Sequence, residues 1–282
     1  VQEITKVSDN QDTPSPQQGI RKLLTLLLEV GLLAVLAFIV VLKWSEIKGF
    51  FQPDEKGKHE QRVIAEPAGD KAAELEAAEK LTAFKDEKGH AKYLVISERS
   101  DPDKPEKRVT SINYKDAKID EETLKLTARL YRISTIIADK TNISDDDLKY
   151  LSGLTVLTSL VLTDTGITDA GLAHLRPLSN LQTLHLSGTK VSDAGMDDIA
   201  RLTNLKILNL SKTNVSDAGM KKLVPLTNLD WLLLAETSLT DAGLDQLAPL
   251  KHLHRLTING TKVTDAGVGR LKKAIPAVSV DR

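Results

Sequence analysis

Apolar positions along the chain fall into three regimes. Residues 1–19 are polar, hold Pro14 and Pro16 and show no apolar period, which predicts a flexible tail. Leu23 to Leu42 then read LLTLLLEVGLLAVLAFIVVL, broken only by Thr25, Glu29 and Gly31 and flanked by Arg21, Lys22, Lys43 and Trp44. At about 1.5 Å per residue, a helix of this length covers the roughly 30 Å hydrocarbon core of a bilayer. Trp44 suits the interface. A signal peptide has a shorter apolar region, of about 7 to 15 residues, and a buried soluble helix shows a polar stripe. The pattern therefore predicts a single transmembrane helix over 20–44.

Residues 45–69 are charged and irregular, with Pro53 and Pro67, and read as a linker. Residues 70–108 look like a cap. DKAAELEAAEKLTAF (70–84) places Ala72, Leu75, Ala78, Leu81 and Phe84 near helical spacing, and AKYLVIS (91–97) has strand character.

From there on the apolar pattern repeats every 24 residues. Asp169, Asp193, Asp217, Asp241 and Asp265 each open the same Asp-Ala-Gly, preceded by Leu-x-x-Leu-x-Leu-x-x-Thr-x-Ile/Val/Leu, as in Leu181, Leu184, Leu186, Thr189 and Val191. Two degenerate copies precede these, with Ile133, Ile136, Ala138, Thr141 and Ile143 in one and Val109, Ile112, Tyr114, Ala117 and Ile119 in the other, about seven coils over 109–282. Leu184 and Leu186 alternate as in a short strand, whereas Met196, Ile199 and Leu202 recur at helical spacing. Each copy is thus one strand followed by one short helix. Thr168, Ser192, Ser216, Thr240 and Thr264 stand where a helix N-cap is wanted, with Asp in the first turn facing the positive end of the dipole. Pro177, Pro225 and Pro249 would end the helix after about two turns. Gly171 and its equivalents leave room for close packing. The recurring Thr141, Thr165, Thr189, Thr213, Thr237 and Thr261 are expected to satisfy backbone groups between coils. A phrase that recurs once per coil is a corner of the structure rather than a catalytic loop. The closing KKAIPAVSVDR, with Ile275, Val278 and Val280, predicts a final strand.

These residues resemble the leucine-rich repeat family, with Thr at the position usually held by Asn or Cys. More narrowly they resemble its 24-residue bacterial, planctomycete-type class, which carries the phrase Thr-Asp-Ala-Gly-Leu. The resemblance implies an α/β solenoid, with a parallel sheet on the concave face, short helices on the convex face and protein binding at the concave face. In this chain the solenoid is preceded by the transmembrane helix.

Composition narrows the chemistry. The chain has 282 residues, 38 basic and 39 acidic, for a formal charge of -1, which gives no support to nucleic-acid binding. It has no cysteine, so disulfides, thiolate metal sites and thiol catalysis are excluded. The histidines at 59, 90, 174, 185, 252 and 254 show no metal-ligand spacing with carboxylates, and no phosphate-binding loop or nucleophile elbow is present. Asp197 and Asp198 fall on an outer helix face, where solvation explains them. No catalytic residue, metal or cofactor is expected, and an enzyme would need a catalytic group from a partner.

The outward strand positions form two columns. Thr135, Ser159, Thr183, Ile207, Trp231 and Arg255 make the first, and Ile137, Val161, His185, Asn209, Leu233 and Thr257 the second. Strands lie about 4.8 Å apart, so Ile207, Trp231 and Leu233 should form one exposed apolar patch edged by His185, Asn209 and Arg255, the composition of a protein-binding hot spot. Within the membrane segment Glu29 lies close to mid-span, where a carboxylate is costly unless protonated or paired. Thr25 shares its face, and Gly31 and Ala34 permit close helix approach. The expected function is a single-pass, non-catalytic scaffold subunit whose partners are integral membrane proteins and whose surroundings are lipid. The alternative is a free-standing anchored receptor for a soluble protein or envelope component. Basic residues alone (Lys43, Lys48, Lys56, Lys58 and Arg62 against Lys6, Arg21 and Lys22) place the repeats inside. Insertion as a signal anchor, with Arg21 and Lys22 against the apolar run, places them on the extracytoplasmic, periplasmic side, and that side is the expectation.

Overall fold

The computed structural model describes residues 71–83, 94–101 and 104–282, all within the unit Ile64–Arg282. The tail, the span expected at 20–44 with Thr25, Glu29, Gly31 and Ala34, and the linker lie outside the described residues. Among the described residues no helix is long and apolar enough to cross a membrane.

Among the described residues nine strands form one sheet in sequence order: β1 (Leu94–Asp101), β2 (Lys104–Asn113), β3 (Thr135–Ile137), β4 (Ser159–Val161), β5 (Thr183–His185), β6 (Ile207–Asn209), β7 (Trp231–Leu233), β8 (Arg255–Thr257) and β9 (Ser279–Asp281). From β2 onward every neighbour is parallel, and the register advances by one repeat per strand, so that Leu184 faces Leu208 and Leu208 faces Leu232. In the three-residue strands β3 to β7 the middle residue is buried and its two flanks are half-buried, which is what alternation on a sheet with one face on the core requires. The core is a continuous column of leucines, among them Leu160, Leu184, Leu186, Leu208, Leu210 and Leu232, all fully buried. Met196, Ile199 and Leu202 close it from the helical side.

The helical side is a mixture of α and 3-10 turns: Asp169–Leu172 runs into Ala173–Leu175, and Asp217–Met220 into Lys221–Leu223, before Pro177 and Pro225. Thr168, Ser192, Ser216, Thr240 and Thr264 cap these turns, each side-chain oxygen accepting from a backbone N–H inside the turn. The aspartate after the cap does more than face a dipole. Its carboxylate reaches the next coil, where Asp217 Oδ1 accepts from the Thr240 N–H at 2.8 Å and Oδ2 from the Thr240 hydroxyl at 2.6 Å.

The threonine column differs from expectation. Thr165, Thr189 and Thr213 donate their hydroxyls to Leu162, Leu186 and Leu210, three residues back in their own coil, at 2.6 to 2.7 Å. Backbone amides join the coils instead, such as Lys212 N to Ala235 O at 2.8 Å. The hydroxyl is needed locally because the chain turns through the left-handed region one residue earlier, at Asp164, Gly188, Lys212 and Glu236. A second ladder runs before the strands: Asn180, Asn204 and Asn228 each donate Nδ2 to a carbonyl one coil back, those of Thr155, Ser179 and Thr203.

The first described helix, α1 (Lys71–Ala83), packs on the first coils by a face shifted from the expected one, which keeps Ala78 and Leu81 but not Leu75. Glu74, Ala77, Ala78 and Leu81 are buried, while Leu75 is 51% exposed; Phe84 lies outside the described residues. The reason is electrostatic. Arg132 turns Glu74 inward, its Nε and Nη2 each 2.7 Å from Glu74 Oε2. Beyond the helix the chain builds a hairpin rather than a single strand, with β1 antiparallel to β2. At the other end Ile275 and Val278 are buried ahead of β9, the strand expected there.

Candidate protein-binding surface

The parallel register creates the surface, because it sets residues of successive coils side by side. Ile207 pairs with Trp231 and Trp231 with Arg255 in one column, while His185 pairs with Asn209 and Asn209 with Leu233 in the next. All six residues expected from the sequence are therefore on one face and adjacent. Ile207, Trp231, Leu233, His185 and Asn209 are half-buried and Arg255 is exposed, so Trp231 lies deeper than expected. Neighbouring coils crowd each outward side chain from both sides.

The Arg255 guanidinium carbon stands 5.1 Å from the centroid of the Trp231 ring, a stacked cation–π arrangement that holds a long side chain in one place. The indole Nε1 is buried and has no hydrogen-bond partner among the described residues. An unsatisfied buried donor costs about 1 to 3 kcal/mol, a cost that an incoming acceptor would remove. Asn209 is committed elsewhere, its Oδ1 accepting from the Ser211 N–H at 3.0 Å. Burial pushes the His185 imidazole below its usual value, against a smaller opposing pull from Asp139, so His185 is a neutral edge of the patch.

Polarity changes along the face. Thr135, Ser159 and Thr183 give its early coils a run of hydroxyls, and Ile207 and Trp231 replace them in the later coils. One pair at the border escaped sequence reasoning: His254 Nδ1 lies 2.6 Å from Asp230 Oδ1. Its signal was the 24-residue spacing, which here means adjacency. On the helical side Asp197 bonds Lys222 at 2.7 Å and Asp198 pairs with Arg176, so both carboxylates are engaged across coils. Among the described residues no group of His, Asp and Glu could hold a metal ion.

A leucine-rich repeat family model matches residues 153–175, 178–200 and 201–224. The chain carries leucine-rich repeats, and its parallel sheet with short helices has the solenoid fold of internalin F of Listeria monocytogenes. That match has a TM-score of 0.52 at 24% identity, over 61% of this chain and 47% of that one. A leucine-rich repeat protein of Leptospira interrogans matches at a TM-score of 0.45 and 23% identity, over 56% of this chain and 45% of that one. Internalin C2 of Listeria monocytogenes gives 0.46 and 18%, over 74% and 92%. The chain thus spans about half the length of the first two. No curated protein matches it in sequence.

Proposed function

We propose that the protein is a membrane-anchored, non-catalytic scaffold that binds another protein through the outward face of its sheet. The observation that carries the binding role is Trp231, whose indole N–H is buried without an acceptor among the described residues, whose ring carries the stacked Arg255, and which stands beside Ile207 and Leu233. Aromatic and arginine side chains in such a setting dominate interface energies. Anchoring rests on the apolar run 23–42, and a subunit role on Glu29, Thr25, Gly31 and Ala34, which would dock that helix against other membrane helices. On this reading the partners are integral membrane subunits and the repeats face the extracytoplasmic side.

Purification of the full chain in mild detergent tests it. Integral proteins recovered in fixed stoichiometry, and lost with Trp231→Ala while the far-UV spectrum is unchanged, are the expected result. A monodisperse lone chain would favour a free-standing anchored receptor instead. Protection of the repeats from added protease in sealed vesicles tests the orientation.

A further inference from the structure

We infer that the Trp231–Arg255 pair is the subsite for a carboxylate side chain, carried by a polypeptide segment that sets an aliphatic residue next to its Asp or Glu. The inference rests on the protein-binding reading and specifies which protein chemistry the face recognises.

The first ground is Arg255. It is exposed, and among the described residues it stacks on Trp231 and no carboxylate pairs with it. Asp230, one residue before Trp231, is engaged by His254 at 2.6 Å rather than by Arg255. The guanidinium therefore keeps its fork of donors, which fits a carboxylate with two parallel hydrogen bonds. Stacking on the indole reduces the side-chain freedom that such a contact would otherwise cost.

The second ground is independent of charge. Among the described residues the Trp231 Nε1–H is a buried donor with no acceptor, and it belongs to the indole whose ring centroid lies 5.1 Å from the guanidinium carbon. Binding at Arg255 that opens this edge to a carboxylate gives the indole its acceptor. One anion then satisfies both groups.

The third ground excludes a bare anion. Ile207 lies beside Trp231 in the same column and Leu233 two residues on in the same strand. These aliphatic walls gain only from a ligand with apolar atoms beside its charge, which a Leu-Glu or Val-Asp step supplies and inorganic phosphate does not.

The full chain carrying Trp44→Phe has Trp231 as its one tryptophan, so its emission reports the subsite directly. Blocked octapeptides bearing a single Leu-Glu pair among Gly and Ser are titrated against Leu-Gln and Leu-Lys counterparts and against inorganic phosphate. The expected result is a saturable emission shift with the Leu-Glu peptide. Arg255→Gln should weaken it about tenfold or more, which corresponds to at least one lost charge-assisted bond. Arg255→Lys, which keeps the charge but not the fork, should recover only part. Indistinguishable responses to the three peptides overturn the carboxylate subsite, and an equal response to phosphate overturns its polypeptide specificity. Either outcome leaves the scaffold reading to its own test, since loss of co-purifying protein with Trp231→Ala but not with Arg255→Gln would keep the patch and remove the subsite.

Discussion

Asp169 holds Ser192 of the following coil with both carboxylate oxygens: Oδ1 accepts from the Ser192 N–H at 2.8 Å and Oδ2 from its hydroxyl at 2.6 Å. The same joint links Asp145 to Thr168, Asp193 to Ser216, Asp217 to Thr240 and Asp241 to Thr264. Each aspartate also faces a glycine of the following coil, Gly171 for Asp145 and Gly195 for Asp169, which belongs to the joint as its receiving side. A β-carbon on Gly195 would lie 2.5 Å from Asp169 Oδ1. Ser/Thr-Asp-Ala-Gly is therefore one interlocking unit, in which hydroxyl and glycine receive the aspartate of the coil before and the aspartate reaches the coil after.

Removing one such carboxylate should loosen the stack locally. Asp193→Ala leaves the half-buried Ser216 amide and hydroxyl without their acceptor, a loss of about 1 kcal/mol. The urea midpoint of the full chain should fall, and Ser216→Ala, which keeps the amide bond, should lower it less. Equal midpoints for wild type and Asp193→Ala would show that the joint contributes nothing.

Glycine to alanine should change sign with position. At Gly195 the new methyl meets Asp169 Oδ1 at 2.5 Å and Leu172 Cδ1 at 2.6 Å, and the carboxylate cannot retreat without giving up both bonds to Ser192. Gly195→Ala should destabilise. Gly269, inside the last helix (Asp265–Ala274), has nothing within 4 Å of the same methyl. There alanine should stabilise by about 0.5 to 1 kcal/mol, the helix-interior cost of glycine. Thermal melts of the two variants, compared with wild type, decide the matter, and midpoints shifted the same way would contradict it.

The joint also has an acid signature. The Thr264 amide and then its hydroxyl hold the Asp241 carboxyl below its ordinary value of 3.8, with Arg270 adding to the effect. A carboxyl depressed in the folded state contributes stability that is present above 3.8 and is lost as pH falls through the lower, folded value. Wild type should lose midpoint in that acid window, and Asp241→Asn should lose less of it. Parallel curves for the two proteins would remove Asp241 from the acid response.

His185 acts with the opposite charge and the same slope. Burial lowers its folded value below 6.5, so the unfolded chain takes up the proton first. Stability contributed by the neutral imidazole is present above 6.5, falls as pH drops below it, and levels off beneath the folded value. His185→Gln should flatten the midpoint between neutrality and mild acid. The ring signals of His185 in a histidine-labelled sample should titrate below 6.5, and a value above it would reverse the assignment.

The register of the sheet was legible because a fixed 24-residue interval leaves one way to stack identical coils. Pairs such as Trp231 with Arg255 followed from counting. What the interval conceals is the direction in which a polar side chain spends its hydrogen bonds. The recurring threonine and aspartate share one period, yet Thr189 turns back to Leu186 of its own coil while Asp169 crosses to Ser192. A period fixes position in the coil but not reach. Trp231 falls in the expected column, but its depth and its N–H without an acceptor among the described residues depend on neighbouring coils closing around it, which spacing alone does not measure.

Helical periodicity found the cap helix and placed Ala78 and Leu81 in its buried face, but it missed Glu74. Leu75 and Leu81 suggest an apolar stripe, yet the helix rotates to bury Glu74 against Arg132 and leaves Leu75 outside. Glu74 and Arg132 keep only 4% and 11% of their side chains exposed. Breaking such a pair from one side leaves a buried charge uncompensated, at a cost of about 3 to 5 kcal/mol. In a stacked array each coil holds mainly its neighbours, so that cost should stay local. Glu74→Gln should raise hydrogen exchange at the amides of Ala77 to Leu81 and leave exchange in β6 and β7 unchanged. Replacing both partners, Glu74→Leu with Arg132→Met, should restore much of the protection, because apolar side chains of similar size carry no charge to strand. Uniform exchange gain along the whole stack in Glu74→Gln would instead mean that the cap and the coils unfold as one unit, and that the pair governs the stability of the binding face as well.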